Sequence, residues 1–221
     1  MEDKRFTSVD FVNMERRFRA HFFNSLSGFK SVNLCGTEDK KGKSNLAILN
    51  SVFHLGSNPP LMGMIMRPAT VPRHTLSNII EQDHYTFNHI NKEIIHEAHQ
   101  TSAKYTRTQD EFEMVGLTPY YSDNLRAPYV LESKVKIGLK FRERVNIASN
   151  HTILIVGEVV EVILPSGAVG LDGFVDLQEA GTLTGSGLDA YLETKKVARL
   201  SYARPYEEIK EIEAFMSMMK E

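Results

Sequence analysis

The sequence predicts a mainly β protein, an antiparallel barrel with helices appended at its ends. Three observations carry this expectation. Residues from 133 to 164 alternate apolar and charged side chains with the period of a half-buried strand, residues 61–66 are almost wholly apolar, and no stretch shows the strand–helix–strand rhythm of a parallel sheet. The 221 residues suffice for one substantial core. With no internal repeat, low-complexity segment or linker, a single domain over 1–221 is expected.

Taken in order, Thr7 and Asp10 have capping-box spacing, and Phe11, Met14, Phe18 and Phe22 recur at helical intervals. They predict an amphipathic helix over 8–24, ending near Gly28 and covering an open end or edge of a sheet. Residues 30–36 and 45–54 read as strands joined by the charged, glycine-containing turn Glu38–Lys43. Pro59 and Pro60 force an extended entry into 61–66, which lacks polar alternation and so predicts a central strand buried on both faces. Arg67 precedes Pro68 and is biased to extended geometry at that strand's end. Thr75 as N-cap starts a short helix carrying Leu76, Ile79 and Ile80, and Asn91 starts another carrying Ile94, Ile95 and Ala98, with a strand over 84–90 between them.

Residues 103–128 hold several turns and no clear period, which fits an excursion over the barrel or part of a subunit interface. Beyond them Val135, Ile137, Leu139 and Phe141 alternate with Lys136, Lys140 and Arg142, and a second long strand over 152–164 follows the turn Asn146–Asn150. Ile209, Ile212 and Phe215 on one face predict a C-terminal helix over 206–220.

Composition narrows the function classes. A net charge of −2 argues against nonspecific nucleic-acid binding, which needs a basic face, so Arg16, Arg17 and Arg19 read as the solvated side of a helix. No segment approaches the roughly 18 apolar residues needed to span a bilayer, and residues 6–8 open no signal-peptide-like apolar run. The single cysteine, Cys35, reads as a small buried hydrophobe. A cytoplasmic protein is the expectation.

Chemistry concentrates in residues 44–75. Asn45, Asn50, Ser51, Arg67, Arg73 and Thr75 bracket the apolar strand, so one strand-and-loops unit offers a floor and several donors for an anion. Other signals are weaker. His96 and His99 lie three apart and lack the i, i+4 spacing of the zinc-protease motif, so they, with His84 and His89, read as surface or capping residues. The glycines of 181–187 lack the Lys-Ser/Thr of a phosphate loop and read as a flexible loop. There is no Gly-x-Gly-x-x-Gly dinucleotide fingerprint.

Asn45-Leu46-Ala47, then Asn58-Pro59-Pro60-Leu61, then Arg73-His74-Thr75 with Asn78-Ile79 resemble the flavin reductase-like, FMN-binding split-barrel family, in particular its flavoredoxin-like branch. Glu111-Phe112 with Gly116-Leu117, Gly187–Tyr191, and Tyr202-Ala203-Arg204-Pro205 extend the likeness over most of residues 14–205. The resemblance implies a homodimer holding FMN noncovalently near its interface, with NADH or NADPH as electron donor. It also implies site roles: Asn45, Leu46 and Ala47 along the ring edge, Asn50 and Ser51 at ribityl or phosphate oxygens, and Arg67, Arg73, His74 and Thr75 around the phosphate. Related sequences carry lysine-aspartate where Arg73-His74 stand, an exchange that keeps the cation and removes an acid.

Hydride transfer from nicotinamide to flavin is chemistry of the two cofactors, so no catalytic side chain and no metal are expected. The same pocket would equally serve an FMN-binding electron carrier for a redox protein partner, or a flavin store without nicotinamide turnover. A third possibility keeps the barrel without flavin and uses it for protein binding.

Overall fold

The computed structural model describes residues 2–68 and 73–212. Two short helices come first, α1 (Ser8–Asn13) and α2 (Arg16–Leu26), followed by strands β1 (Lys30–Glu38), β2 (Ser44–Ser57) and β3 (Pro60–Met66). Then come helix α3 (His74–Gln82), strand β4 (His84–His89), helices α4 (Ile95–Gln100) and α5 (Glu111–Val115), and the hairpin β5 (Pro119–Ser122) and β6 (Leu125–Val130). Two long strands, β7 (Lys136–Asn146) and β8 (Ile153–Ile163), and a small hairpin, β9 (Thr184–Ser186) and β10 (Ala190–Leu192), complete the strands among the described residues.

The barrel runs β1-β2-β3-β8-β7-β4 and closes where β4 returns to β1, so six antiparallel strands form a ring. Closure needs no βαβ crossover because consecutive long strands are joined by hairpins, as the alternating sequence pattern requires. Inside the ring Val52, Met64, Tyr85, Phe87, Leu139 and Ile155 pack with Cys35, which is wholly buried, and with Leu76 and Ile79 of α3. Each such apolar side chain contributes about 1.5–3 kcal/mol when removed from water. A second core lies outside the wall, where Val32, Leu34 and Leu46 meet Ile94, Phe112 and Val130.

The predicted helix over 8–24 is two helices. Met14 and Glu15 take extended backbone angles, and the Glu15 carboxylate accepts from the N–H groups of Arg17 and Phe18, so its own side chain starts α2. Nor do these helices bury an apolar stripe on the sheet, since none of their residues is buried. Phe6, Phe11, Phe22 and Phe23 stack mainly on one another, with Phe18 beside Phe22. The strands over 30–36 and 45–54 are present but longer, and 61–66 is interior in the sheet order between β2 and β8.

Residues 103–128 form the excursion: the β5–β6 hairpin lies over β1 and β4, and α5 packs against β2. Thr86 Oγ1 donates to Pro128 O at 2.7 Å, while Asn88 accepts from Val130 N at 2.9 Å and donates to Leu34 O. The 181–187 segment is also ordered by pairing, since Gly185 and Thr184 of β9 pair with Lys30 and Ser31 of β1. Expected as a flexible loop, it is a hairpin edge. The C-terminal helix does not begin at 206. Residues 205–207 turn, and Glu211 bridges back to Leu200, while the remainder of the predicted 206–220 helix, from 213 onward, lies outside the described residues.

His89 ends β4 in the interior, its Nδ1 3.1 Å from Thr182 Oγ1, and burial pushes its imidazole down to about 4. An unfolded chain takes up that proton near 6.5 and the folded one only near 4, so the unfolded state holds more protons between those values. Stability from this source is complete above about pH 6.5 and falls by on the order of 3 kcal/mol as pH drops toward 4. Urea midpoints at pH 7.5 and 4.5 should therefore diverge more for the natural chain than for His89→Asn. Equal pH sensitivity in both would assign the acid lability elsewhere.

Candidate functional site

A cleft of about 800 Å³ follows the outer edge of β2. It exists because β2 changes partners along its length. Residues 44–49 pair with β1, whereas β3 joins only from Val52 onward, opposite Met64. Extending the β2–β3 ladder further would need the chain beyond Met66, but Arg67-Pro68 turns it away, and proline has no N–H to contribute. No described strand therefore lies on the outer edge of residues 45–50, and that backbone faces the cleft.

All nine residues singled out from the sequence line this one cleft: Asn45, Leu46, Ala47, Asn50, Ser51, Arg67, Arg73, His74 and Thr75. Their local settings differ from expectation in two places. Thr75 is not the N-cap of α3, because Arg73 holds that position with extended angles and the helix begins at His74. The Thr75 hydroxyl is buried instead and accepts from Asn45 Nδ2 at 3.1 Å, leaving its proton available. Asn45 is more than a turn residue, since Nδ2 also reaches Thr37 Oγ1 at 3.2 Å, where Asn78 Nδ2 donates as well. This buried polar network fixes the start of β2 to the first turn of α3. It keeps the apolar strand edge and the cationic end in register.

Asn50 and Ser51 both have structural partners. Asn50 Nδ2 donates to Gly187 O at 3.3 Å, tying β2 to the β9–β10 turn, and Ser51 Oγ donates to Ile65 O at 2.8 Å across the point where β3 joins. Oxygen atoms of both remain as acceptors.

Positive charge gathers at the α3 end. Arg67 is exposed, while Arg73 Nε is buried with no hydrogen-bond partner among the described residues. Burial, then the nearby charges of Arg107 and Lys43, push the His74 imidazole down, so it is favoured as a neutral donor or acceptor among cations. Arg107, itself exposed, reaches the partly covered Asp39 only at 3.9 Å, a loose pair. The buried Glu111 carboxylate, also on the cleft lining, has Oε2 3.4 Å from Leu46 N, and burial raises its protonation range.

Sequence reasoning missed Lys43, Arg107 and Glu111, and also the opposite wall, where residues 101–107, His99, Gly185–Leu188 and Tyr191 line the cleft. Glu111 and Gly187–Tyr191 stood in the quoted motifs, the signal that could have marked them. Lys43 and Arg107 sit in turns with no period of their own.

Residues 29–175 match the family model of the flavin reductase like domain. The chain belongs to that family. Among solved structures of this flavin reductase-like fold, it is 50% identical to a candidate flavin reductase with a split barrel domain from Shewanella frigidimarina NCIMB 400. That match covers 91% of this chain and 100% of the other at a TM-score of 0.88. Two further structures share the fold. Nitrilotriacetate monooxygenase component B from Bacillus cereus is 17% identical over 90% of this chain and 100% of its own, with a TM-score of 0.79. Flavoredoxin of Desulfovibrio vulgaris (Miyazaki F) is 22% identical over 81% and 92%, with a TM-score of 0.67. An uncharacterized protein of Aquifex aeolicus (strain VF5) is 25% identical over 119 residues, 53% of this chain, and the match spans 61% of that relative's length. The family's split barrel is thus the fold of this chain, with residues 29–175 supplying the ring, one wall of the cleft and part of the other.

Proposed function

We propose that the cleft binds FMN and that the protein, as a homodimer, passes hydride to it from NADH or NADPH. One observation carries this: the edge of β2 that no described strand covers shares its cleft with a cationic end at which Arg73 Nε is buried without a partner among the described residues. A flat ring edged with amide-like atoms suits strand backbone at 45–47, and a phosphate dianion suits Arg73 with Arg67, His74 and the Thr75 proton. FMN supplies the redox chemistry, taking two electrons as hydride at its ring system.

The chain's part is placement. Asn45 holds the strand edge to α3, so ring and phosphate contacts are set at a fixed separation before any ligand arrives. Asn50 and Ser51 brace the same strand from both sides. Holding two cofactors at attack distance contributes several kcal/mol, up to the roughly 7–11 seen in well-oriented intramolecular reactions. No helix among the described residues is long and apolar enough to cross a membrane, which fits a proposed cytoplasmic site of action.

The test is an absorption spectrum of the purified protein followed by anaerobic addition of each nicotinamide. Bound FMN bleached within turnover time is expected. Flavin retained through gel filtration but left oxidised by both nicotinamides would replace the reductase by an electron carrier or a flavin store. No flavin binding at all would end the proposal.

A further inference from the structure

The wall of the cleft built by α4 and β10 carries an acid pair. His99, in the last turn of α4, places Nδ1 2.8 Å from the hydroxyl of Tyr191 on β10, and the two rings meet edge to face with centroids 5.8 Å apart. Both side chains line the cleft; His99 is exposed and Tyr191 half-buried, so the pair runs from solvent to the interior of the groove. Burial, then the nearby Asp189 charge, raises the Tyr191 phenol, which keeps its proton at neutral pH. Among the other cleft groups, Ser51 is already committed as a donor to Ile65 O, and the Glu111 carboxylate, which also lines the cleft, accepts from Leu46 N.

Passing hydride into a flavin needs no protein acid. Unloading it can. A one-electron metal complex takes no proton, whereas a carbonyl compound develops charge on oxygen as hydride reaches carbon, and a positioned acid then contributes about 10²–10⁴-fold. Resting on the flavin reading above, we propose that Tyr191, positioned by His99, protonates a conjugated carbonyl compound that this protein reduces in the same cleft.

The step balances. Reduced FMN held in the cleft would supply a hydride, and that hydride would form the new C–H bond at the β-carbon of the acceptor. The C=C pair shifts toward the carbonyl, whose π electrons move to oxygen, and that oxygen takes the Tyr191 proton. Tyr191 recovers a proton from His99 Nδ1, and His99 from water on its exposed side. One reduced flavin anion, one conjugated carbonyl and one proton give oxidised flavin and an enol, which rearranges to the saturated carbonyl compound.

The experiment reduces the FMN-loaded protein with dithionite, independently of any nicotinamide, and reoxidises it anaerobically with cinnamaldehyde or with ferricyanide. Tyr191→Phe should slow cinnamaldehyde about 100-fold or more and His99→Gln about 10-fold, with ferricyanide changed less than twofold. A binding readout accompanies the rates: 4-nitrophenolate titrated into the oxidised loaded protein should bind about tenfold more weakly to either variant. Natural protein that leaves cinnamaldehyde unreduced, or variants that slow both acceptors alike, would overturn the proposal. If no flavin binds, the flavin reading fails by its absorption. The pair is then judged by ¹⁵N NMR of the flavin-free chain. A His99 Nδ1 resonance that moves with 4-nitrophenolate, and in Tyr191→Phe does not, supports the donor pair; one indifferent to the ligand overturns it.

Discussion

Arg73→Ala is expected to weaken FMN binding by about 1.5–3 kcal/mol, roughly 10- to 150-fold, while riboflavin binding stays within about twofold. The guanidinium stands at the N-cap of α3 with Nε buried and unpartnered among the described residues, a state that costs free energy unless an anion completes it. Removing it should therefore affect the ligand that has a phosphate and spare the one that lacks it. Substitution at this position leaves the Asn45–Thr75 link intact, so the strand edge that would meet the ring is unchanged. Flavin fluorescence titrations on the two ligands provide the comparison. Equal losses for FMN and riboflavin would move Arg73 from phosphate to ring or scaffold.

Gly36→Ala should destabilise the fold by about 3 kcal/mol, the upper end of the usual overpacking range. A Cβ at this position would lie 2.0 Å from the carbonyl oxygen of Pro128 and 2.6 Å from Thr86 Oγ1. The first of these is backbone, so no rotamer change relieves the clash, and the β5–β6 hairpin must move off the barrel. Gly36 also pairs with Leu46 on β2 and Thr86 on β4, the two neighbours through which β1 closes the ring. Flavin affinity should accordingly fall with stability. Gly167→Ala, where a new Cβ meets nothing within 4 Å, is the control and should shift the urea midpoint little. A Gly36→Ala midpoint as high as that control would mean that the hairpin is not held as described.

The barrel strands could be read from sequence because apolar and charged side chains alternate along them, as in β7, where Ile137 and Leu139 alternate with Lys136 and Lys140, although Lys136 is in fact buried with its Nζ on Ser133 O. The site's first wall was legible for a related reason: Asn45 to Thr75 form one nearly continuous stretch of chain, so spacing alone brought its polar residues together. The opposite wall was not. His99 and Tyr191 are 92 residues apart, and Arg107 approaches His74 from a segment without periodicity. Their meeting is a tertiary event with no local pattern. Local competition explains a further miss. Glu15 satisfies two backbone N–H groups by itself and so restarts a helix that the phenylalanine spacing would have continued. Thr75 lies inside the helix rather than at its cap, and its hydroxyl accepts from Asn45, 30 residues away.

The missing ladder rungs beside residues 45–50 bear on the life of the empty protein as well as on its chemistry. A strand edge without a neighbour is adhesive toward any other extended chain, and natural folds cover or charge such edges to stay apart. Here the cofactor itself would be the cover. If FMN binds there as proposed, protein made faster than flavin would keep an edge that no described strand covers, and riboflavin supply would bear on how much of it stays dispersed.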